Sequence, residues 1–165
     1  MHALITGGAR SGKSAFAEAL VTGWGARAAY IATAQARDAE MEARIAAHVA
    51  RRGGAWRTHA EPLDLPGALI ATDGAPRLVD CLTLWLSNLM EAERDVEAET
   101  AALLSSLAAQ SSPVAFVTNE VGGGIVPAHA LSRRFRDAAG TLNQAIAAAC
   151  SEVHLVVCGC PLRIK

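Results

Sequence analysis

The chain has 165 residues, 52% of them hydrophobic, and a formal net charge of −1. That length suits one domain, residues 1–165, around a single core. The composition excludes a disordered chain, and the charge excludes the global basic field of a nucleic-acid binder. No apolar run is long enough to cross a bilayer, and Met1-His2 lead straight into the first strand, so a cytoplasmic location is expected. Cys81, Cys150, Cys158 and Cys160 lack paired C-x-x-C spacing and read as reduced, mostly buried thiols rather than a zinc site.

In chain order, a first strand is expected over residues 2–6. It runs into Gly7, Gly8, Ala9, Arg10, Ser11, Gly12, Lys13 and Ser14, a match to the pattern G-x-x-x-x-G-K-[ST]. A helix over 13–24 follows, so the context is strand, glycine-rich loop, helix. Glycines there let backbone N–H groups close on an anion at a helix N-terminus. Lys13 supplies a point charge for β- and γ-phosphates, and the Ser14 hydroxyl suits Mg²⁺. Nucleoside triphosphate binding follows.

A second buried strand is expected over 28–32, then a loop of Thr33, Ala34 and Gln35. A helix over 38–52 should stop at Gly53-Gly54. Residues 56–62 read as a short extended piece, 63–71 as a helix interrupted early by Pro66, and 77–81 as a strand. An apolar helix over 82–90 and a more polar one over 91–109 precede a strand over 114–118, which ends at Asn119-Glu120. A glycine-rich loop over 121–127 leads to a long helix over 131–150. Its stripe is Phe135, Ala138, Ala139, Leu142, Ile146 and Ala149. The last strand is expected over 153–158. This alternation argues for a doubly wound, mostly parallel α/β sheet. Ligands of such sheets sit at strand C-termini, so Thr33, Asp80 and Glu120 should share one edge with the phosphate loop.

Asp80 ends a strand, as suits the acidic partner of a phosphate loop that binds Mg²⁺ directly or through water; the alternative is a cap for the following helix. Glu120 is either a base or water-orienting group, or a charge at a loop mouth. His48 shares a helical stripe with Met41, Ile45 and Val49, and Arg44, Arg51 and Arg52 surround it. That basic setting favours a neutral, nucleophilic imidazole able to attack an α-phosphorus. Spacing alone favours the plainer reading, a half-exposed helix histidine among solvated arginines. His2 and His154 read as structural, and His59 and His129 carry weaker signals. Arg133, Arg134 and Arg136 read as a solvated helix face.

The chain resembles the bifunctional adenosylcobinamide kinase/adenosylcobinamide-phosphate guanylyltransferases of cobalamin biosynthesis. The matching runs are GGARSGKS (7–14), YIATAQ (30–35), RIAAH (44–48) and EPLDL (61–65). LVDCLTLWLSNLM (78–90), TNEVGGGIVP (118–127), RRFRDAAGTLNQ (133–144) and PLRIK (161–165) complete the set. The resemblance implies a P-loop NTPase with a RecA-like sheet and two reactions. Adenosylcobinamide is phosphorylated with ATP or GTP; GMP is then moved from GTP to that phosphate, giving adenosylcobinamide-GDP. It also implies that His48 carries GMP covalently, which reverses the reading from spacing. Nucleotide contacts carry over to Gly7–Ser14, Thr33, Ala34, Gln35, Val49, Ala50, Arg51, Arg52, Glu61 and Asp80. Lys13 joins His48 in catalysis, Ser14 and Asp80 hold Mg²⁺, and the assembly is a homotrimer. Cys160 stands where an aliphatic residue is common, and the N-K-x-D guanine-reading motif is absent. Two other readings of the phosphate loop are a single-function kinase of another small metabolite and a nucleotide-dependent regulatory module.

Overall fold

The computed structural model describes residues 1–25, 27–36, 38–52, 54 and 56–165, with the side chains of Glu40, Arg44, His48, Arg51 and Arg52 outside that description. The order is β1 (His2–Thr6), α1 (Lys13–Trp24), β2 (Ala28–Ala32), α2 (Ala39–Arg52), β3 (Trp56–Ala60), α3 (Leu65–Ala71) and β4 (Arg77–Asp80). It continues with α4 (Leu82–Glu91), α5 (Val96–Ala108), β5 (Val114–Val117), α6 (Ala130–Ala149), β6 (Glu152–Val157) and β7 (Cys160–Arg163). The sheet runs β3-β2-β4-β5-β1-β6-β7. All pairings are parallel except β6 with β7. The expected doubly wound, mostly parallel α/β fold is the one observed.

The central strands β1, β2, β4 and β5 lack a polar face because helices cover both sides of the sheet. Side chains alternate across each strand. Leu4, Val79 and Phe116 join the layer beneath α3–α6, with Trp85, Leu86 and Leu142. Ala3, Ile5, Ala115 and Val117 meet Ala17 and Val21 of α1 on the other side. Small residues on this second face let α1 lie close to the sheet, which brings the phosphate loop over the end of β1.

Three helices differ in detail from those expected. Pro66 does not interrupt a helix; it lies in the first turn of α3, where a missing N–H is tolerated. Asp64 accepts a hydrogen bond from Gly67 N at 2.9 Å and starts that helix. The polar helix begins at Val96, not residue 91, because Asp95 accepts from Glu97 N and Ala98 N at 3.0 and 3.1 Å. Ala149 of the expected α6 stripe is exposed, and Cys150 is buried in its place.

Strand β7 was not expected. Cys158 and Gly159 both have positive φ, 51° and 79°, and form the two-residue turn of a hairpin. Pro161 then sits in an edge strand, the one place in a sheet where it is tolerated. The cysteines are therefore split: Cys81 and Cys150 are buried, whereas Cys158 and Cys160 are exposed around this turn.

At the sheet edge remote from the phosphate loop, Arg77 is fully buried. It donates to Leu69 O at 2.8 Å, Ser112 O at 2.6 Å and Gln110 Oε1, and pairs with Asp73 at 3.0 Å. Burial alone would raise the Asp73 pKa. Hydrogen bonds from Ser111 N–H and hydroxyl, and from Gly74 and Ser112 N–H, instead hold it well below the usual carboxylate range. A buried cation is tolerated here because nearly every donor has an acceptor.

Candidate active site

The phosphate loop is fixed by packing as well as by its own turn. Gly12 has φ 95°, a left-handed conformation that favours glycine, and a Cβ there would lie 3.1 Å from Gly159 Cα. A Cβ at Gly7 would meet Val156 O at 2.4 Å. Gly159 N donates to Ser11 O at 2.8 Å, and Glu120 N donates to Gly7 O at 3.1 Å. The β6–β7 hairpin and the end of β5 thus brace the loop from two sides. Lys13 is buried and turns back to donate to Gly8 O at 3.1 Å. Its charge is held over the loop, at the N-terminus of α1, where anions are already favoured.

Opposite stands Asp80 at the end of β4. The Tyr30 hydroxyl donates to Asp80 Oδ2. The cap of α4 is Cys81, without a side-chain cap bond, so Asp80 is not the cap of that helix. Thr33, at the end of β2, is fully buried; its Oγ1 accepts from Cys81 N at 2.8 Å and donates to Cys81 O at 2.9 Å. Asn88 on α4 donates to Thr33 O at 2.8 Å and Pro62 O at 3.0 Å. These bonds lock the ends of β2, β3 and β4 together. Burial pushes the Cys81 thiol up, and the Asp80 carboxylate adds to it, so Cys81 is a neutral thiol and not a nucleophile at neutral pH.

Between the loop and β4 lies a cavity of about 160 Å³, walled by Lys13, Ser14, Tyr30, Ala34, Asp80 and Asn119. Met41 and Ile45 of α2 also line it. Position 48 falls on the same face of α2, three residues beyond Ile45. The side chains of His48, Arg51 and Arg52 lie outside the described residues, and Val49 and Ala50 are exposed. Glu61 does not line the cavity. Its Oε1 accepts from Leu63 N and Asp64 N at 2.9 Å each, ordering the entry to α3. Glu120 is exposed and accepts from Gly122 N at 2.7 Å.

Ser14 and Asp80 offer a hydroxyl and a carboxylate to one cavity, hard oxygen donors of the kind Mg²⁺ takes. No group of three or more His, Cys, Asp or Glu among the described residues could hold a metal by itself. A cation here would complete its shell with phosphate oxygens and water, as Mg²⁺ does in nucleotide sites. Among the hydrogen-bonding side chains of the cavity wall, sequence reasoning missed Tyr30 and Asn119. Each had a faint signal: Tyr30 is the single tyrosine of the chain, within an apolar strand, and a buried hydroxyl requires a partner. Asn119 is the second residue beyond the wholly buried β5, after Thr118.

The sequence profile of the family described as "Cobinamide kinase / cobinamide phosphate guanyltransferase" matches residues 3–164. The chain belongs to this family. It is 49% identical over 169 residues to the bifunctional adenosylcobalamin biosynthesis protein CobP of Pseudomonas aeruginosa, covering 100% of this chain and 98% of that one. It is 44% identical over 183 residues to the bifunctional adenosylcobalamin biosynthesis protein CobU of Salmonella typhimurium, and 42% identical to that of Escherichia coli, each covered end to end. As a cobinamide kinase/guanyltransferase, the chain is an enzyme that transfers both phosphoryl and nucleotidyl groups. No helix among the described residues is long and apolar enough to cross a membrane. The two transfers of the family make opposite demands on a bound triphosphate: the kinase needs access to the γ-phosphorus, the guanyltransferase to the α-phosphorus. The cavity meets α1 and β4 on one side and α2 on another, so separate elements face it.

Proposed function

We propose that the chain phosphorylates adenosylcobinamide with ATP or GTP and then transfers GMP from GTP to the product, with His48 as the covalent carrier. The observation that carries this reading is the cavity wall made by Met41 and Ile45, the first two members of the α2 stripe that His48 continues. In the first reaction the substrate hydroxyl oxygen attacks the γ-phosphorus. Lys13 and the N–H groups of residues 7–14 stabilise the charge that builds on the phosphates. Ser14 and Asp80 would hold Mg²⁺, which supplies further positive charge to the β- and γ-oxygens when bound. Tyr30 orients the Asp80 carboxylate through its hydroxyl.

In the second reaction an imidazole nitrogen of His48 attacks the α-phosphorus of GTP. A P–N bond forms, the α–β bridging P–O bond breaks, and pyrophosphate departs with the electron pair. A phosphate oxygen of adenosylcobinamide phosphate then displaces the imidazole, giving adenosylcobinamide-GDP. Ala34, Gln35, Val49, Ala50, Arg51, Arg52 and Glu61 complete the nucleotide contacts in this reading, while Thr33 acts through the loop it anchors. The active form is a cytoplasmic homotrimer. A strongly apolar exposed segment supports self-association: Ile125 is 97% exposed, with Val126 and Leu131 beside it. Incubation with adenosylcobinamide, Mg²⁺ and GTP should give both the phosphate and the GDP derivative by mass. A chain that stops at the phosphate is a kinase alone, and one that gives neither refutes the proposal. Light scattering should find three times the monomer mass.

A further inference from the structure

The residue that leaves β5 occupies a privileged place. Strand β5 lies between β4, which carries Asp80, and β1, which feeds the phosphate loop. A side chain at its C-terminal end can reach the space over both. Asn119, the second residue beyond β5, stands at that end and lines the cavity with Lys13, Ser14 and Asp80.

Its main chain is held from two helices. Asn119 N donates to Thr83 Oγ1 of α4 at 2.8 Å, and Asn119 O accepts from Asn143 Nδ2 of α6 at 3.3 Å. Thr118 Oγ1 donates to Asn143 Oδ1 at 2.8 Å and lies 3.3 Å from Thr83 Oγ1. The donors and acceptors run in one direction, from Asn119 N–H through Thr83 and Thr118 to Asn143, whose amide returns to Asn119 O. Three neighbouring side chains therefore fix one backbone step. The side chain of Asn119 is not needed for this circuit. Its Nδ2 lies 3.6 Å from Cys81 Sγ, a weak acceptor. The next residue does not compete, because Glu120 is exposed and its carboxylate accepts from Gly122 N.

A rigidly mounted amide that faces a phosphate-binding cavity, and whose partner among the described residues is a thiol, is a preorganised donor. We propose that Asn119 is a further catalytic residue of the kinase reaction, donating its side-chain N–H to an oxygen of the transferring γ-phosphoryl group. The inference rests on the kinase reading of this cavity. The γ end is favoured because Asn119 shares its wall with Lys13, Ser14 and Asp80, the groups that engage the β- and γ-phosphates and their cation. In the step itself, the substrate hydroxyl oxygen forms the new O–P bond and its proton leaves to water. The bond from the γ-phosphorus to the β–γ bridging oxygen breaks, and the nucleoside diphosphate leaves with the electron pair. Asn119 exchanges no proton; it stabilises the equatorial oxygens as charge shifts.

The test uses the intact protein with Asn119→Ala and the isosteric Asn119→Asp. Three quantities are measured: single-turnover phosphorylation of adenosylcobinamide at saturating ATP, Kd for a non-hydrolysable ATP analogue, and Tm. Loss of one such donor should slow phosphoryl transfer about 100-fold in the alanine variant. The analogue's Kd should change less than about threefold, since the contact strengthens in the transition state. The aspartate variant, with a carboxylate facing the phosphoryl oxygens, should be at least as slow. Rates within about threefold of wild type in both variants overturn the proposal. So does a loss that follows a matching fall in Tm and in analogue affinity, which marks a structural role. If wild type itself fails to phosphorylate adenosylcobinamide, the kinase reading beneath the proposal fails instead, and the two failures are told apart by that control.

Discussion

Replacing Thr33 by valine removes one hydroxyl while keeping the side chain's shape. Thr33 is fully buried, and its Oγ1 both accepts from Cys81 N and donates to Cys81 O. The two halves of this exchange are unequal. Cys81 O also accepts from Leu84 N at 3.1 Å and Trp85 N at 3.0 Å, so it stays satisfied without the hydroxyl. Cys81 N has Thr33 Oγ1 as its acceptor and is left orphaned in a dry site. A buried unpaired N–H costs about 1–3 kcal/mol and the lost bond itself about 1 kcal/mol, so roughly 2–3 kcal/mol is expected after the added methyl's partial compensation. For a chain of this size that lowers Tm by about 5–10 °C. Thr33→Ser keeps the hydroxyl and loses one buried methyl, worth about 1 kcal/mol. Thermal unfolding of the three proteins, followed by circular dichroism at one pH, reads the difference. The order expected is wild type, then serine, then valine. Valine within about 1 °C of wild type, or serine below valine, would refute the reasoning that the hydroxyl serves the Cys81 amide.

Other perturbations probe separate parts of the molecule. Asp73→Asn should lower Tm at neutral pH, because the depressed carboxylate contributes stability only while ionised. That contribution is present above the unfolded pKa of 3.8 and is lost as pH falls below it toward the depressed folded value. The two unfolding curves should therefore converge in acid, and a gap that widens there contradicts the assignment. Tyr30→Phe removes the hydroxyl that holds Asp80 Oδ2, and should raise the Mg²⁺ concentration for half-maximal phosphorylation by about tenfold or more, the usual scale for an outer-shell partner. An unchanged Mg²⁺ titration would separate Tyr30 from metal binding.

Much of the fold was legible because its signals are local. The strand–loop–helix at residues 2–24 follows from an apolar run, glycines and a helix-forming segment, and its bounds match. The same edge of the sheet receives Thr33, Asp80 and Glu120, as alternation of strands and helices requires. What escaped depends on contacts between distant residues. Strand β7 has four residues, all exposed and one of them a proline, so it carries no alternating pattern; it exists because Cys158 and Gly159 turn the chain back onto β6. The start of α5 was set by a cap, Asp95, hidden in a charged run that reads as helix throughout. At the site, the motif marked Glu61 as a nucleotide contact but not the bonds its Oε1 accepts from two backbone amides of its own loop. Asn119 and Tyr30 gave only faint signals because their importance lies in which strand neighbours which. Strand order is not written in any single segment.

The central claim is that α2 brings a nucleophile to the α-phosphorus of a nucleotide held by Lys13 and the loop. Incubating the protein with Mg²⁺ and GTP labelled at the α-phosphorus, then digesting it and mapping the label by mass, tests this most directly. The account predicts GMP on the peptide containing His48, stable to base and lost in acid as a phosphoramidate is, and no label on His48→Ala. Label that persists on the variant, or its absence from wild type that turns adenosylcobinamide phosphate into the GDP derivative, would contradict it.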